Sequence, residues 1–128
     1  MRVLLDSHTL LWMLRGDASL SSRAADLLDD PSTQPLVSAA TAYELCYKSA
    51  RGKLTEADAL CADFAHEIAA ADCTELPLTV RHARAAARLD AFHRDPFDRL
   101  LIAQALVEGV PIVSSEEVFD RYGVERVW

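Results

Sequence analysis

The chain has 128 residues, of which 51% are hydrophobic and 26% charged, and its formal net charge is −7. This length suits one domain with a substantial core, and the balance of apolar and charged residues excludes a disordered chain. The acidity argues against non-specific attachment to nucleic acid, which normally depends on basic surface. No apolar run has the length of a membrane span, and the chain opens on a strand-like run rather than on a signal peptide. We therefore expect a single domain over residues 1–128, located in the cytoplasm and not in a membrane.

The first half of the chain predicts strands that alternate with helices. An apolar strand, RVLLD, is followed by two helices, SHTLLWMLRG with a glycine stop and SSRAADLLDD with a proline stop. A second strand, PLVSAAT, leads into the helix TAYELCYKSARG. Thr55 then caps a long alanine-rich helix that reaches about Ala71, with Ala59, Leu60, Phe64 and Ile68 as its buried stripe.

The second half continues the alternation. CTELPL is a strand, TVRHARAAARLD is a helix, and an apolar helix begins at Pro96 and ends at Gly109. The last predicted elements are the strand VPIVSS, the short helix EEVFDRYG and the strand VERVW. Such alternation predicts an α/β fold with a mainly parallel sheet of about five strands.

Acidic residues follow the predicted strands or open the helices after them. The set consists of Asp6, Glu44, Asp95, Asp98 and Glu116. Ligands of open α/β sheets bind outside the carboxyl ends of the strands, so these acids are expected at one edge. Carboxylates that meet without cations repel one another, and hard oxygen ligands suit Mg²⁺ or Mn²⁺. One or two such ions could activate water and stabilise a leaving oxygen on phosphorus.

Each acid also has a purely structural interpretation. Asp6 and Asp95 could cap the helices that follow them, and Asp98 could be a first-turn acid favoured by the helix dipole. Glu44 could be an ion-paired surface side chain, and Glu116 the start of a helix. The functional interpretation gains force because all these alternatives would have to hold together at one edge.

Four segments, spread over the chain, resemble the PIN domain and in particular the VapC-like toxins of bacterial and archaeal toxin–antitoxin pairs. They are LLDSHTLLWML, SAATAYELCYKSARGKL, HRDPFDRLLIAQALVEG and IVSSEEVFDRYGV, in the order of the family. The resemblance implies a three-layer α/β/α sandwich and a metal-dependent endoribonuclease. In such an enzyme one or two Mg²⁺ or Mn²⁺ ions activate water, which hydrolyses RNA to 5′-phosphate and 3′-hydroxyl ends.

Carried over residue by residue, the resemblance assigns metal binding and catalysis to Asp6, Glu44, Asp98 and Glu116. Asp95 is a possible further ligand, but it could instead cap the helix or orient an arginine. Position 116 departs from the family pattern, which has aspartate there after Thr-x. Glutamate is one methylene longer, and Glu117 and Asp120 are nearby substitutes that rank below it.

Other polar residues could support such a site. Basic side chains are expected to hold RNA phosphates, and the candidates are Lys48, Arg51, Lys53, Arg94 and Arg99. Ser7, Ser114 and Ser115 could bond to a carboxylate or to water, although capping or a loop role is the simpler interpretation. We expect a structural role for His93 and no function for His8, His66 and His82.

The resemblance also implies partners, namely an RNA substrate, a cognate antitoxin protein and a second copy in a homodimer. Apolar surface near Trp12 and Trp128 would contribute to these contacts. The main alternative is a catalytically decayed PIN-fold interaction module, which Glu116 alone supports. A phosphotransfer enzyme that uses a strand-end aspartate is disfavoured, because His8 stands where a phosphatase of that type needs a second aspartate.

Overall fold

The computed structural model describes residues 1–128 and has one five-stranded sheet in which every strand pair is parallel. The strands are β1 (Arg2–Leu5), β2 (Gln34–Ser38), β3 (Thr74–Leu76), β4 (Ile112–Val113) and β5 (Arg126–Val127). Their order across the sheet is β3-β2-β1-β4-β5. The predicted α/β fold with a parallel sheet is confirmed.

Helices connect the strands. They are α1 (Ser7–Arg15), α2 (Ser22–Asp29), α3 (Ala39–Ala50), α4 (Asp58–Ala62), α5 (Phe64–Ala70), α6 (Val80–Ala87) and α7 (Pro96–Glu108). Two 3₁₀ helices, Thr55–Ala57 and Glu117–Tyr122, complete the set, and the second replaces the short α-helix predicted there. None of the helices combines the length and the hydropathy needed to cross a bilayer.

Both faces of the sheet are covered because alternate strand residues are apolar. Val3 and Leu5 of β1 point into a core shared with α1, α2, α3 and α5. Leu4, between them, belongs to the opposite core, where Leu101 and Ile102 of α7 cover the sheet. A strand buried on both faces is typical of a parallel sheet between helical layers. The three-layer α/β/α architecture implied by the resemblance is therefore confirmed.

The prediction of one continuous helix between Thr55 and about Ala71 is wrong. Asp63, with φ −152° and ψ 73°, separates α4 from α5, and its carboxylate accepts a hydrogen bond from the His66 amide at 3.4 Å. An aspartate that caps a new helix competes with continuation of the preceding one. Thr55 makes no capping hydrogen bond, and Ala57 rather than Ala59 is buried.

The strand order places a crevice between β1 and β4. The chain builds the sheet outward from β1 through β2 to β3, and then returns to the other side of β1 with β4 and β5. The connections on the two sides diverge at this point, which leaves an opening beyond the carboxyl ends of the strands. Asp6 follows β1 and Ser114 follows β4, so both lie at this opening.

Candidate active site

A polar cavity of about 160 Å³ lies at the crevice. Its lining residues are Asp6, Ser7, His8, Glu44, Leu45, Lys48, Leu54, Asp95, Asp98 and Glu116. The four acids selected from the sequence, together with Asp95, thus line one space although they come from four segments of the chain. Only two of the ten lining residues are hydrophobic, so the cavity suits a charged ligand rather than an apolar one.

Asp6 is held from two sides at the start of α1. Its Oδ1 accepts a hydrogen bond from the Thr9 amide at 2.8 Å and thereby caps the helix. Its Oδ2 accepts a hydrogen bond from the hydroxyl of Ser114. Ser114 also accepts a hydrogen bond from the Glu116 amide at 2.9 Å, so one buried serine connects two of the acids.

Glu44 lies on α3 and is 7% exposed. Its Oε1 accepts a hydrogen bond from the Ser7 hydroxyl, and its Oε2 forms an ion pair with Lys48 Nζ at 3.0 Å. Lys48 is one helical turn further along α3, and its side chain is about half exposed. The ammonium group therefore supplies positive charge at the wall of an otherwise acidic cavity.

Asp98 is the acid whose protonation the site disturbs most clearly. Burial raises the pKa of its carboxyl group, and repulsion from Asp95 and Glu44 raises that pKa further. A hydrogen bond to His93 acts in the opposite direction, since His93 Nε2 lies 2.7 Å from Asp98 Oδ2. Burial is therefore the main cause of the raised pKa, and the neighbouring carboxylates add to it.

His93 is held in place by the loop between α6 and α7. Its amide donates to the Tyr122 hydroxyl at 2.9 Å, and that hydroxyl donates to the Asp90 carbonyl at 2.8 Å. Arg99 fastens the same loop from inside. Its Nη1 donates to the carbonyls of Asp90 and His93, at 2.8 and 3.0 Å.

The other guanidinium nitrogen of Arg99, Nη2, donates to the carbonyls of Ala86 and Leu89 at 2.9 and 2.7 Å. A guanidinium group that serves four backbone carbonyls has no donor pair left for a bidentate phosphate contact. The contacts of Arg99 therefore favour a structural role, in which it fixes the loop that carries His93, over the predicted contact with RNA. This role was not predictable from the sequence, because it depends on the path of the loop.

The side chains of Asp95 and Glu116 differ in how firmly hydrogen bonds hold them. Asp95 caps α7, with its Oδ1 accepting hydrogen bonds from the amides of Phe97 and Asp98 at 2.9 and 3.2 Å. This is the capping alternative considered for it, although its side chain also borders the cavity. The Glu116 side chain is exposed and makes no hydrogen bond, so it is the freest acid of the set. Asp120 pairs instead with Arg126 at 2.8 Å, and neither it nor Glu117 lines the cavity.

The other predicted RNA-binding cations are exposed but differ in position. Arg51 and Lys53 follow Lys48 at the end of α3, and the Arg51 guanidinium carbon lies 3.4 Å from the centre of the Tyr47 ring. Arg94 lies in a separate depression beside Pro96, outside the acidic cavity. Of the five candidates, Lys48 alone lines that cavity.

Sequence reasoning gave too little weight to three side chains. Ser7 and Ser114 bond to Glu44 and Asp6, and His93 bonds to Asp98. Ser7 directly follows the predicted strand RVLLD and Ser114 lies at the end of the predicted strand VPIVSS, which is the same signal that selected the acids. His93 precedes the helix cap, so no helical spacing connects it to Asp98. His8 also lines the cavity and stacks on Trp12 at 5.6 Å between ring centroids.

The chemistry of the cavity fits a hard divalent cation. Its potential donors are carboxylate oxygens, which suit Mg²⁺ or Mn²⁺, and repulsion from Asp95 and Glu44 adds to the burial that raises the pKa of Asp98. In this structure no group of three or more His, Cys, Asp or Glu side chains is arranged to hold a metal ion. Hydroxyl, ammonium and imidazole groups instead contact Asp6, Glu44 and Asp98.

The family model described as "PIN domain" matches residues 3–125. The chain belongs to the PIN domain family. The resemblance noted in the sequence is thereby confirmed at the level of the family. A comparison with curated protein sequences gives no match.

Several solved structures share the PIN fold of this chain. VapBC2 from Rickettsia felis, bound to a DNA fragment from their promoter, has a TM-score of 0.73, 14% identity and 100% coverage of both chains. VapBC-1 from nontypeable Haemophilus influenzae has a TM-score of 0.69 and 12% identity, covering 98% of this chain and 96% of that one. Mycobacterium tuberculosis VapC20, described as a sarcin-ricin loop cleaving toxin, has a TM-score of 0.65 and 16% identity, with 95% coverage of both. At these identities the likeness shows the fold.

Proposed function

We propose that this PIN domain is a Mg²⁺- or Mn²⁺-dependent endoribonuclease and the toxin of a toxin–antitoxin pair. The observation that carries the proposal is the convergence of Asp6, Glu44, Asp98 and Glu116 on one polar cavity. A core built for stability alone does not gather like charges, because they repel one another and must be desolvated. A divalent cation would offset that repulsion.

In this proposal Asp6, Glu44, Asp98 and Glu116 hold one or two ions, with Asp95 as a further neighbour. A bound ion supplies Lewis-acid chemistry, by which water becomes a nucleophile and the charge on the phosphodiester is stabilised. The protein orients the acids: Ser114 holds Asp6, and His93 holds Asp98. Hydrolysis adds water across the P–O3′ bond and leaves 5′-phosphate and 3′-hydroxyl ends.

We propose a second role for the Lys48 ammonium group in this scheme. It is half exposed at the cavity wall, where it pairs with Glu44 and can also attract a phosphate of the incoming strand. Arg51, Lys53 and Arg94 extend the positive charge outward, and we propose that they contact phosphates further from the cut. Arg99 is left out of this set, because its donors already serve the loop.

The toxin assignment rests on fold likeness to VapBC2 and VapBC-1, and to VapC20, which is described as a sarcin-ricin loop cleaving toxin. A groove of about 330 Å³ between α1 and α2 offers apolar side chains to a partner, including Met13, Leu20 and Leu28. Trp12, only partly buried, packs against Trp128 at 5.7 Å between ring centroids. We propose these surfaces for the antitoxin and for a homodimer contact, in a protein of the cytoplasm.

The decisive experiment is cleavage of total cellular RNA by the purified protein with Mn²⁺. We expect discrete fragments that disappear with EDTA and with Asp98→Asn, and sequencing of their 5′-phosphate ends would identify the bond that is cut. Fragments that persist in both controls would contradict the proposal, since they would come from another nuclease.

The decayed interaction module remains the second candidate, and two observations favour it. Position 116 holds a glutamate, and the acids are not arranged to coordinate an ion as they stand. A thermal melt with Mn²⁺ separates the two candidates, because a bound ion stabilises the folded state by mass action. An increase in Tm that Asp98→Asn abolishes is expected of the nuclease. No increase and no cleavage would establish the module instead.

A further inference from the structure

A row of aromatic rings lies on α3 and α7, the two helices that carry Glu44 and Asp98. Phe97 of α7 packs against Tyr43 of α3 with 5.8 Å between ring centroids, and Tyr43 packs against Tyr47 at the same distance. The interplanar angles are 35° and 31°, so the rings are tilted rather than perpendicular. Arg51 ends the row, with its guanidinium carbon 3.4 Å from the Tyr47 ring centre. We call these four residues the aromatic row.

The aromatic row is unusually exposed. Tyr43 is 62% exposed and Tyr47 is 45% exposed, whereas Phe119 in the core is completely buried. Neither tyrosine hydroxyl of the row makes a hydrogen bond within the chain, while the Tyr122 hydroxyl makes two. Large aromatic rings that stay about half exposed, with hydroxyl groups that form no hydrogen bond within the chain, indicate a contact surface.

The position of the row ties it to the acids. Tyr43 directly precedes Glu44, and Phe97 directly precedes Asp98. The contact between Tyr43 and Phe97 therefore joins the two helices that carry these acids, just outside the cavity that Glu44 and Asp98 line. Neither ring lines that cavity, so the rings would meet the part of a bound strand that extends beyond a phosphate at the acids.

We propose that the aromatic row is a stacking platform for an unpaired nucleobase next to the cleaved phosphodiester. Proteins recognise single-stranded and looped RNA by stacking splayed bases on aromatic rings and arginine planes. The aromatic row supplies both, and Lys48 beside it supplies charge for the adjoining phosphate. The inference rests on the proposed nuclease function and narrows the substrate to RNA with an unpaired base at the cut, excluding a continuous duplex.

Charge and size favour a base over a protein partner on this surface. The row ends in Arg51, and Lys48 and Lys53 are near it in the chain, so an anionic strand is complementary to it. Two exposed tyrosines offer planar faces that match a base and its neighbour, but far less apolar area than a stable dimer contact needs. The test distinguishes a nucleobase from a second copy of the chain as the occupant of this surface.

The test uses a single-stranded oligoribonucleotide that carries 2-aminopurine, whose fluorescence falls when the base stacks. Titration with the full-length protein is done in EDTA, where the proposed cleavage cannot proceed. We expect the fluorescence to fall, and Tyr43→Leu to weaken binding by about 5- to 150-fold, the range for loss of one base–aromatic stack. Tyr43→Phe should bind within about twofold of the wild type because it retains the ring.

Phe92→Leu is the matched control. Phe92 is 49% exposed and has Arg121 4.2 Å above its ring, yet it does not line the cavity. We expect this variant to bind like the wild type. In Mn²⁺, Tyr43→Leu should raise KM for a single-stranded substrate more than it lowers kcat.

The outcomes separate this proposal from the proposed function. Fluorescence that falls with the wild type but not with Tyr43→Leu, in a protein that cleaves nothing, would support the platform and overturn the nuclease. Cleavage with equal binding by both proteins, or no change in fluorescence with the wild type, would overturn the platform alone. Sedimentation completes the test. A dimer that Tyr43→Leu dissociates, with unchanged fluorescence, would assign the row to contact with a second copy and overturn the platform.

Discussion

The hydroxyl of Ser114 links two parts of the site that are far apart in the chain. It donates to Asp6 at the end of β1 and accepts from the amide of Glu116 after β4. The side chain is completely buried, so water cannot replace it without rearrangement. Its contribution is to hold one carboxylate in a single orientation, which matters for any ligand that Asp6 binds.

We therefore expect Ser114→Ala to lower cleavage by about 10- to 100-fold, the usual effect of removing a residue that orients a ligand. Ser115→Ala is the control, because Ser115 is partly exposed and makes no such bond. The measurement is the rate of RNA cleavage in Mn²⁺ at matched protein stability. Equal rates for the two variants would show that Asp6 does not need this restraint.

Glu116 permits a second comparison between closely related side chains. It is exposed and free of hydrogen bonds, so a change there leaves the fold intact. We expect Glu116→Gln to lower kcat by about tenfold or more, as for loss of a charged contact worth about 1.5 kcal/mol. Glu116→Asp, which restores the family's residue, should keep or raise the rate. Wild-type rates in Glu116→Gln would exclude this acid from the reaction.

Single residues were predictable from sequence where backbone position alone determines their surroundings. Asp6 and Ser114 follow strand ends, and the carboxyl ends of parallel strands meet at one edge. His93 and Arg99 were not predictable, because their contacts depend on how residues 88–95 cross the start of α7. A loop of that length leaves little periodic signal from which its path could be read.

At the scale of elements, Arg99 of α7 holds α6 and the following loop in place by hydrogen bonds to their carbonyl groups. It joins the carbonyls at the end of α6 to the first turn of α7, where Asp98 lies. We expect Arg99→Ala to lower the free energy of unfolding by about 2 kcal/mol, since its charged hydrogen bonds are lost while water partly replaces them. Urea denaturation would measure this.

Arg88→Ala provides the comparison for that experiment. Arg88 is exposed at the end of α6 and its side chain makes no hydrogen bond, so its loss should change stability by less than about 0.5 kcal/mol. If Arg99→Ala is as stable as Arg88→Ala, the hydrogen bonds of Arg99 do not stabilise the contact between α6, the loop and α7. The free energy of unfolding of Arg99→Lys should be close to that of Arg99→Ala, because one ammonium group cannot reach four carbonyls.

The other end of the same helix pair is joined by His82 and Glu108. His82 Nδ1 accepts from the Thr79 amide at 3.0 Å, which leaves Nε2 to donate to Glu108 Oε2 at 3.1 Å. That hydrogen bond, aided by charge attraction from Arg2, lowers the pKa of Glu108. The stabilisation is therefore present above the unfolded pKa and is lost as pH falls through the lower, folded pKa.

We expect Glu108→Gln to be less stable than the wild type by about 1 kcal/mol at pH 7. The difference should shrink as pH falls below the pKa of Glu108, because the wild-type carboxyl group then becomes neutral as well. Urea midpoints of the two proteins at pH 7 and at pH 3 test the sign. A difference that grows towards low pH would contradict the assigned direction.

Helix boundaries were predictable where a strong signal stood alone and failed where two signals competed. The end of α7 was predictable because Gly109 adopts φ 65°, which glycine tolerates without strain. The region after Thr55 is rich in alanine and so suggests one continuous helix. Asp63 overrides that local preference by capping α5, and the competition is decided by packing that the sequence does not display.

At the scale of the whole molecule, the alternation of strands and helices predicted the fold, and the convergence of the acids on one cavity supports the proposed function. Five strands separated by helices allowed a parallel sheet to be predicted, but not the order in which β4 returns beside β1. That order creates the crevice, and the crevice collects the acids. The resemblance to the PIN family added what periodicity could not, namely which acids belong together.

The function of the whole protein has a direct cellular test. Expression of the chain without a partner is expected to arrest growth, and Asp6→Asn is expected to relieve the arrest because it removes one negative charge from the cavity. Colony counts measure the effect, and immunoblots confirm equal amounts of the two proteins. Equal growth arrest by both would remove the nuclease as its cause.

The placement of Asp6 makes the fold and the chemistry depend on the same side chain. One oxygen caps α1, and the other faces Ser114 in the cavity wall. Alanine at this position would lose the cap, at a cost of about 1 kcal/mol, as well as the charge. Asparagine caps helices about as well as aspartate, so it removes the charge and leaves α1 in place. In a protein of this fold that lost catalysis but stayed under selection for stability, asparagine is therefore the expected replacement for aspartate here. An asparagine at this position would indicate a relative that retains the fold without the proposed reaction.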